Sequence, residues 1–201
     1  MSANAEVAAI VLAAGRGTRF GESPKLLAVL DGKPLVRHVA EAALHAGVPT
    51  LVVVGHRGPQ IRAALEDLPV TFVPNHAYAD GLSTSLKAGF AALPDEAGAV
   101  LVLLGDMPRV GTDIVRRLLD TWERTGRPDA VLPVSGGRRG NPVLLSRRLS
   151  REVETLTGDT GLGPLLRSMT SVVEVQVDDG GVLLDVDTSD ALAAIGTHPR
   201  V

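Results

Sequence analysis

The sequence predicts a single α/β domain, a Rossmann-like three-layer α/β/α build around a mostly parallel sheet. Three observations carry that expectation. Apolar runs of strand length (Val7 to Ala14, Thr50 to Val54, Val70 to Val73, Ala99 to Leu104) alternate with segments of helical period. The first run opens directly into a glycine-rich cationic stretch, at the kind of strand end where open α/β sheets bind ligands. The length, 201 residues at 45% hydrophobic and 21% charged, suits one domain with a substantial core.

The elements follow in order. After the first strand no helix is predicted before Pro34, which leaves a long irregular connection of the kind that is usually functional or disordered. Leu26 to Pro34 reads as a short extended piece closed by an Asp31-Gly32 turn. Pro34 to Gly47 is a helix, with Leu35, Val36, Val39, Ala40, Ala43 and Leu44 on one face and Gly47 as its stop. Thr50 to Val54 and Val70 to Val73 are strands on either side of an amphipathic helix, Pro59 to Leu68. Ser83 to Leu93 has helical spacing, with Gly81 and the serines at its amino end. Ala99 to Leu104 is the most apolar strand and so the expected centre of the sheet. Thr112 caps a helix through Arg124. Ala130 to Val134, Val143 to Leu145, Val172 to Val177 and Val182 to Val186 are further strands, the last two flanking an Asp178 to Gly181 turn. A helix over Ser189 to Ile195 follows.

Val11 to Lys25 reads V-L-A-A-G-R-G-T-R-F-G-E-S-P-K. Glycines let successive N–H groups converge on one point, and cations interleaved with them suit a polyphosphate. The stretch is not a P-loop, which needs G-x-x-x-x-G-K-[ST]. Nor is it a regular dinucleotide fingerprint, because the glycines are spaced Gly15-x-Gly17-x-x-x-Gly21 and Pro24 interrupts any helix that follows.

Asp106 lies just past the Ala99 to Leu104 strand, at the edge where the cationic loop is expected. It reads either as a ligand-binding carboxylate or as a local backbone acceptor. Asp185 and Asp187 would share one face of a strand, and either could join Asp106 in holding a hard cation; alone, Asp187 or Thr188 reads as a helix cap. Ser83 and Ser85 are equally open between capping and presenting hydroxyls to a ligand at a helix N-terminus. A nucleophilic serine is not indicated, since Gly81-Leu82-Ser83-Thr84-Ser85 lacks the second glycine of G-x-S-x-G. A second glycine–arginine loop, Ser135 to Pro142, could hold another anionic ligand.

Composition narrows the classes. A net charge of -3 and a pI near 5.9 argue against a nucleic-acid partner. No cysteine is present, which excludes disulfides, thiolate catalysis and cysteine-bound zinc. None of the five histidines has metal-ligand spacing. No leader-like segment and no apolar run of about 18 residues is apparent, so no membrane partner is expected and the expected location is cytoplasmic. With aromatics at 2%, a bound base is expected to rest on backbone and aliphatic groups.

The ordered set L-A-A-G-R-G-T-R-F-G-x-x-x-K, G-L-S-T-S-L, G-D-M-P, R-G-N-P-V, G-D-T-G and D-V-D-T resembles the MobA/MocA-like nucleotidyltransferases over nearly the whole chain. Leu12-Ala13-Ala14-Gly15 is similar to the cytidylyl-transferring branch; the guanylyl branch typically has L-A-G-G. Asn141 stands where many cytidylyl members carry histidine. The resemblance implies the nucleotide-diphospho-sugar transferase type of fold over residues 1–201, with nucleotide on the N-terminal half and acceptor on the C-terminal half. It further implies CTP held by Leu12, Ala13, Ala14, Gly15, Arg16, Gly17, Thr18, Arg19 and Lys25, with Gly81 and Ser83. Lys25, Arg19 and Asp106 would be catalytic, and Mg²⁺ would sit on Asp106 with help from Asp187. Arg139, Gly140 and Asn141 would meet a molybdopterin-type acceptor, and a molybdoenzyme or its chaperone could receive the product. Guanylyl or sugar-phosphate transfer, a nicotinamide-dependent reductase and a non-catalytic nucleotide sensor are the alternatives.

Overall fold

The computed structural model describes residues 6–17, 20 and 24–196. Strand β1 (Val7–Ala13) is buried along its whole length, as a strand covered on both faces must be. A 3₁₀ turn, Lys25–Leu27, leads into the hairpin β2 (Val29–Leu30) and β3 (Lys33–Pro34), which closes through Asp31 and Gly32 at φ 49° and 78°. Then come α1 (Leu35–His45), β4 (Thr50–Val54), α2 (Gly58–Ala64) and β5 (Val70–Pro74). A 3₁₀ turn, Tyr78–Asp80, precedes α3 (Leu82–Ala91), β6 (Ala99–Leu104) and α4 (Thr112–Arg124). The remainder is β7 (Ala130–Ser135), β8 (Arg138–Arg139), β9 (Val143–Ser146), α5 (Ser150–Glu154), α6 (Gly163–Ser168), β10 (Val172–Gln176) and α7 (Ser189–Gly196).

The sheet runs β10-β7-β9-β6-β1-β4-β5, with β8 paired to β7. The pairs β1–β4, β1–β6, β4–β5 and β7–β10 are parallel; β9 is antiparallel to both β6 and β7. The sheet is therefore mostly parallel, and β6 stands at its middle, as its apolar run predicts. Two cores flank it. Val7, Ala9, Val11 and Ala13 face α1 and α4, whereas Ala8, Ile10, Leu12 and Ala14 face α3 and the α5–α6 region. This period-two split is the sheet layer of an α/β/α sandwich.

Four local expectations are corrected. Val182 to Val186 is not a strand: Gly180–Leu183 forms a 3₁₀ turn, set by Asp179 Oδ1 accepting from Gly181 N at 2.7 Å. Helix α2 ends at Ala64, short of Leu68, because the chain turns there through Leu65 N donating to Arg62 O. The N-cap of α4 is Gly111, and Thr112 is its first helical residue. The N-cap of α3 is Gly81, so Ser83 and Ser85 lie inside the helix, both buried.

Candidate active site

The site forms where β1 and β6 end side by side. Gly105 N donates to Leu12 O at 3.0 Å and so holds the turn after β6 against the end of β1. Beyond β1 the loop reaches Gly17, at φ +58°, where a Cβ would lie 2.9 Å from Lys25 Cβ. Only glycine accepts both that backbone and that contact, and the Lys25 stem is consequently pressed against the loop.

The Lys25 ammonium bridges Asp106 Oδ2 at 2.7 Å and Asp187 Oδ1 at 2.5 Å. Asp187 arrives by a route the sequence does not advertise: Val186 N donates to Asp106 O at 2.9 Å, and fully buried Val186 anchors the segment. Asp185, on the other side of Val186, is exposed. Burial lowers the Lys25 pKa, but Asp106 and Asp187 together more than offset it, leaving the ammonium above its ordinary value. Lys25 is therefore cationic throughout the neutral range.

The two carboxylate oxygens converge on one point, which is the oxygen donor set a hard divalent cation takes. Among the described residues no group of three or more His, Cys, Asp or Glu gathers for a metal. Two carboxylates with the remaining positions left to water and substrate phosphates is the usual arrangement for Mg²⁺, so the residues present fit that ion.

Beside this cluster opens a cavity of about 560 Å³. Of the residues predicted for it, Leu12, Ala14, Gly15, Arg16, Gly17, Lys25, Gly81 and Asp106 line it. Ala13 faces the opposite core, and Ser83 is buried while Ser85 reaches the cavity in its place. Thr18 and Arg19 lie outside the described residues. Arg139, Gly140 and Asn141 stand off the cavity: Arg139 pairs with Glu174 at 2.7 Å, and Asn141 N donates to Val182 O at 2.8 Å.

Among the lining residues that the sequence does not point to are His56, Arg57, Tyr78 and Asp159. His56 is tied to the loop by its N–H on Ala14 O at 3.0 Å. Its ring centre lies 5.9 Å from that of Tyr78, and the Arg16 guanidinium is 5.9 Å from the Tyr78 ring centre. These rings give the cavity an aromatic wall despite the low aromatic content. Asn75 orders the rim, donating to Thr84 Oγ1 at 2.9 Å and Ser85 Oγ at 3.0 Å. Gly81, at φ +109°, lets α3 meet the Gly158-Asp159 turn, where a Cβ would lie 2.2 Å from Gly158 C. Ser83 N then donates to Gly158 O at 3.1 Å, which brings Asp159 to the cavity edge.

A glycine loop at the end of a buried strand, a lysine and two carboxylates beside a polar-rimmed cavity are chemically suited to a phosphorylated ligand. The chain belongs to the family of the MobA-like NTP transferase domain, whose model matches residues 9–174. It is 38% identical to the bifunctional protein GlmU of Syntrophotalea carbinolica over 129 residues, 63% of this chain and 28% of GlmU. The chain thus spans less than a third of the GlmU proteins it matches. It is 33% identical over 194 residues to nicotine blue oxidoreductase of Paenarthrobacter nicotinovorans, covering 92% of this chain and 94% of that one. Among solved structures it is similar to Rv0371c of Mycobacterium tuberculosis H37Rv, with TM-score 0.84, 27% identity and coverage of 96% and 98% of the two chains. A manganese complex of Rv0371c matches with TM-score 0.80 and 28% identity, over 94% of this chain and 97% of that one.

Proposed function

We propose that the chain is a Mg²⁺-dependent cytidylyltransferase that moves CMP from CTP onto a molybdopterin-type phosphate and releases pyrophosphate. The observation that carries this reading is the convergence of Lys25, Asp106 and Asp187 beside the glycine-loop cavity. Family membership and the manganese complex of a similar protein support it.

The nucleotide lies on the N-terminal half, its phosphates over Gly15 to Gly17, and the acceptor comes from the C-terminal half. Gly140 and Asn141 pack on the Val182 turn, four residues before Val186, whose N–H donates to Asp106 O, and this supports an acceptor approaching the carboxylates from that side. An acceptor phosphate monoester has a second pKa near 6 and is already largely dianionic at neutral pH. Its oxygen attacks the α-phosphorus, a new P–O bond forms, and the bond to the bridging oxygen of pyrophosphate breaks. No general base is needed. What the protein supplies is charge compensation: Lys25, Arg16 and loop N–H groups line the cavity beside anions that would otherwise repel one another. Asp106 and Asp187 would hold Mg²⁺, which when bound neutralises phosphate charge. Ala14 places a methyl on the cavity wall, which favours a pyrimidine over a purine.

The test is a pyrophosphate-release screen of the four nucleotide triphosphates with and without molybdopterin cofactor. CTP with the cofactor should give the fastest release, and chelator should abolish it. A second reading, a nicotinamide-dependent reductase using the same cavity, is favoured by the near full-length similarity to nicotine blue oxidoreductase. Dye-dependent oxidation of NADH or NADPH in excess chelator, without pyrophosphate release from any triphosphate, would select it and overturn the first.

A further inference from the structure

The Lys25 ammonium lies between Asp106 Oδ2 and Asp187 Oδ1, at the point where those oxygens would hold a divalent cation. We propose that Lys25 is the resident counter-ion that an incoming divalent metal must displace. Lys25 then sets the metal affinity of the nucleotide-free protein, and metal entry frees its ammonium for the nucleotide phosphates. The inference rests on the reading of Asp106 and Asp187 as metal ligands.

Charge is the first argument. Two carboxylates carry two negative charges; one ammonium leaves the cluster at minus one, and a divalent ion neutralises it. Ammonium and metal together would place like charges within a few ångströms of each other in a partly buried site, an arrangement that costs far more there than in water. One must leave, and only the metal brings coordination that an ammonium cannot. Geometry is the second argument. The Lys25 stem is fixed at its base, where Gly17 leaves just enough room for its Cβ. The ammonium is four bonds further out, so the head can turn into the cavity, which Lys25 itself lines, without moving the loop. Arrival of metal and presentation of Lys25 to phosphate thereby become one coupled event.

The consequence runs against intuition: removing a cation next to the metal site should tighten metal binding. The fraction of protein with free carboxylates scales the apparent affinity, so if Lys25 occupies them about nine-tenths of the time, its removal gives about a 10-fold gain. The measurement is Mn²⁺ binding to the nucleotide-free full chain, followed by the electron paramagnetic resonance signal of free Mn²⁺. Lys25→Gln should bind about 10-fold more tightly than the unmodified chain, Lys25→Arg no more tightly, and Asp106→Asn more weakly. Circular dichroism checks that each variant is folded, and Lys25→Met carries the same expectation should Lys25→Gln fail to fold. Equal or weaker binding by the neutral variant, with Asp106→Asn still impaired, overturns this inference and leaves the metal-site reading standing. Failure of both the unmodified chain and the neutral variant to bind Mn²⁺ at millimolar concentration overturns both.

Discussion

On the proposed reading Lys25 acts on the nucleotide through charge and Ala14 through shape. Lys25→Ala should lower turnover by about 10²–10³-fold, the scale for losing one preorganised electrostatic contact. Steady-state pyrophosphate release measures it, and turnover within a few-fold of the original would remove Lys25 from the chemistry. Ala14→Gly should relax the choice of base more than it changes turnover with CTP. Steric discrimination in a pocket is worth about 1–3 kcal/mol, or roughly 10–200-fold, so competition between equal CTP and GTP resolves it; an unchanged ratio shows that the methyl does not set the base. Both residues line the cavity, Lys25 being pointed to by the loop's cationic composition and Ala14 by the family resemblance. Tyr78 and His56 are pointed to by neither. A single tyrosine among small residues carries no periodic signal, and only the folded chain sets it beside the histidine that follows β4.

Elements built from local pattern were read well. The β2–β3 hairpin, α1, β4, β6 and α4 each follow from turn chemistry or apolar period. The error at Val182 to Val186 has a physical source: a short, nearly continuous apolar run reads as a buried strand, but the Asp179 side chain accepts from Gly181 N and winds the backbone into a turn. At the start of α3, Gly81→Ala meets both a left-handed φ and the Gly158 backbone. It should destabilise the protein by at least about 1–3 kcal/mol, the scale of one strained backbone position, as measured by urea denaturation. A second element-scale prediction concerns α1. Arg37 holds Asp67 through two hydrogen bonds of 2.7 Å, and these lower the Asp67 pKa from 3.8 to about 2. A depressed carboxyl pKa means the contact is fully present above 3.8 and is lost as pH falls through about 2. In Arg37→Ala, the Asp67 carboxyl should titrate near 3.8 by carbon-detected NMR, and a value still near 2 would contradict the pairing.

At the scale of the molecule, alternation of strands and helices correctly announced a layered sheet, and it could not announce where β9 goes. Strand β9 inserts antiparallel between β6 and β7, a choice made by pairing between distant segments that no local window contains. For the same reason the residue pattern leaves Asp185 and Asp187 open as the partner of Asp106, and the resemblance alone points to Asp187, the one that meets Lys25 in the folded chain. Leu101, fully buried on β6 in register with Ala9 and Leu144, sits at the centre of this arrangement. Leu101→Ala should cost about 2.7–5 kcal/mol and lower the thermal midpoint without altering which nucleotide is used; calorimetry checks the first and the competition assay the second. The bridge from Lys25 to Asp187 joins positions 162 residues apart. During synthesis β1, β4, β5 and β6 can pair long before Asp187 has been translated, so a nascent chain can own the middle of its sheet while the cluster of Lys25, Asp106 and Asp187 is still half built. Completion of the site is therefore a late event in biogenesis, and a chain stalled short of Asp187 would hold the strands of its sheet while lacking one of its two converging carboxylates.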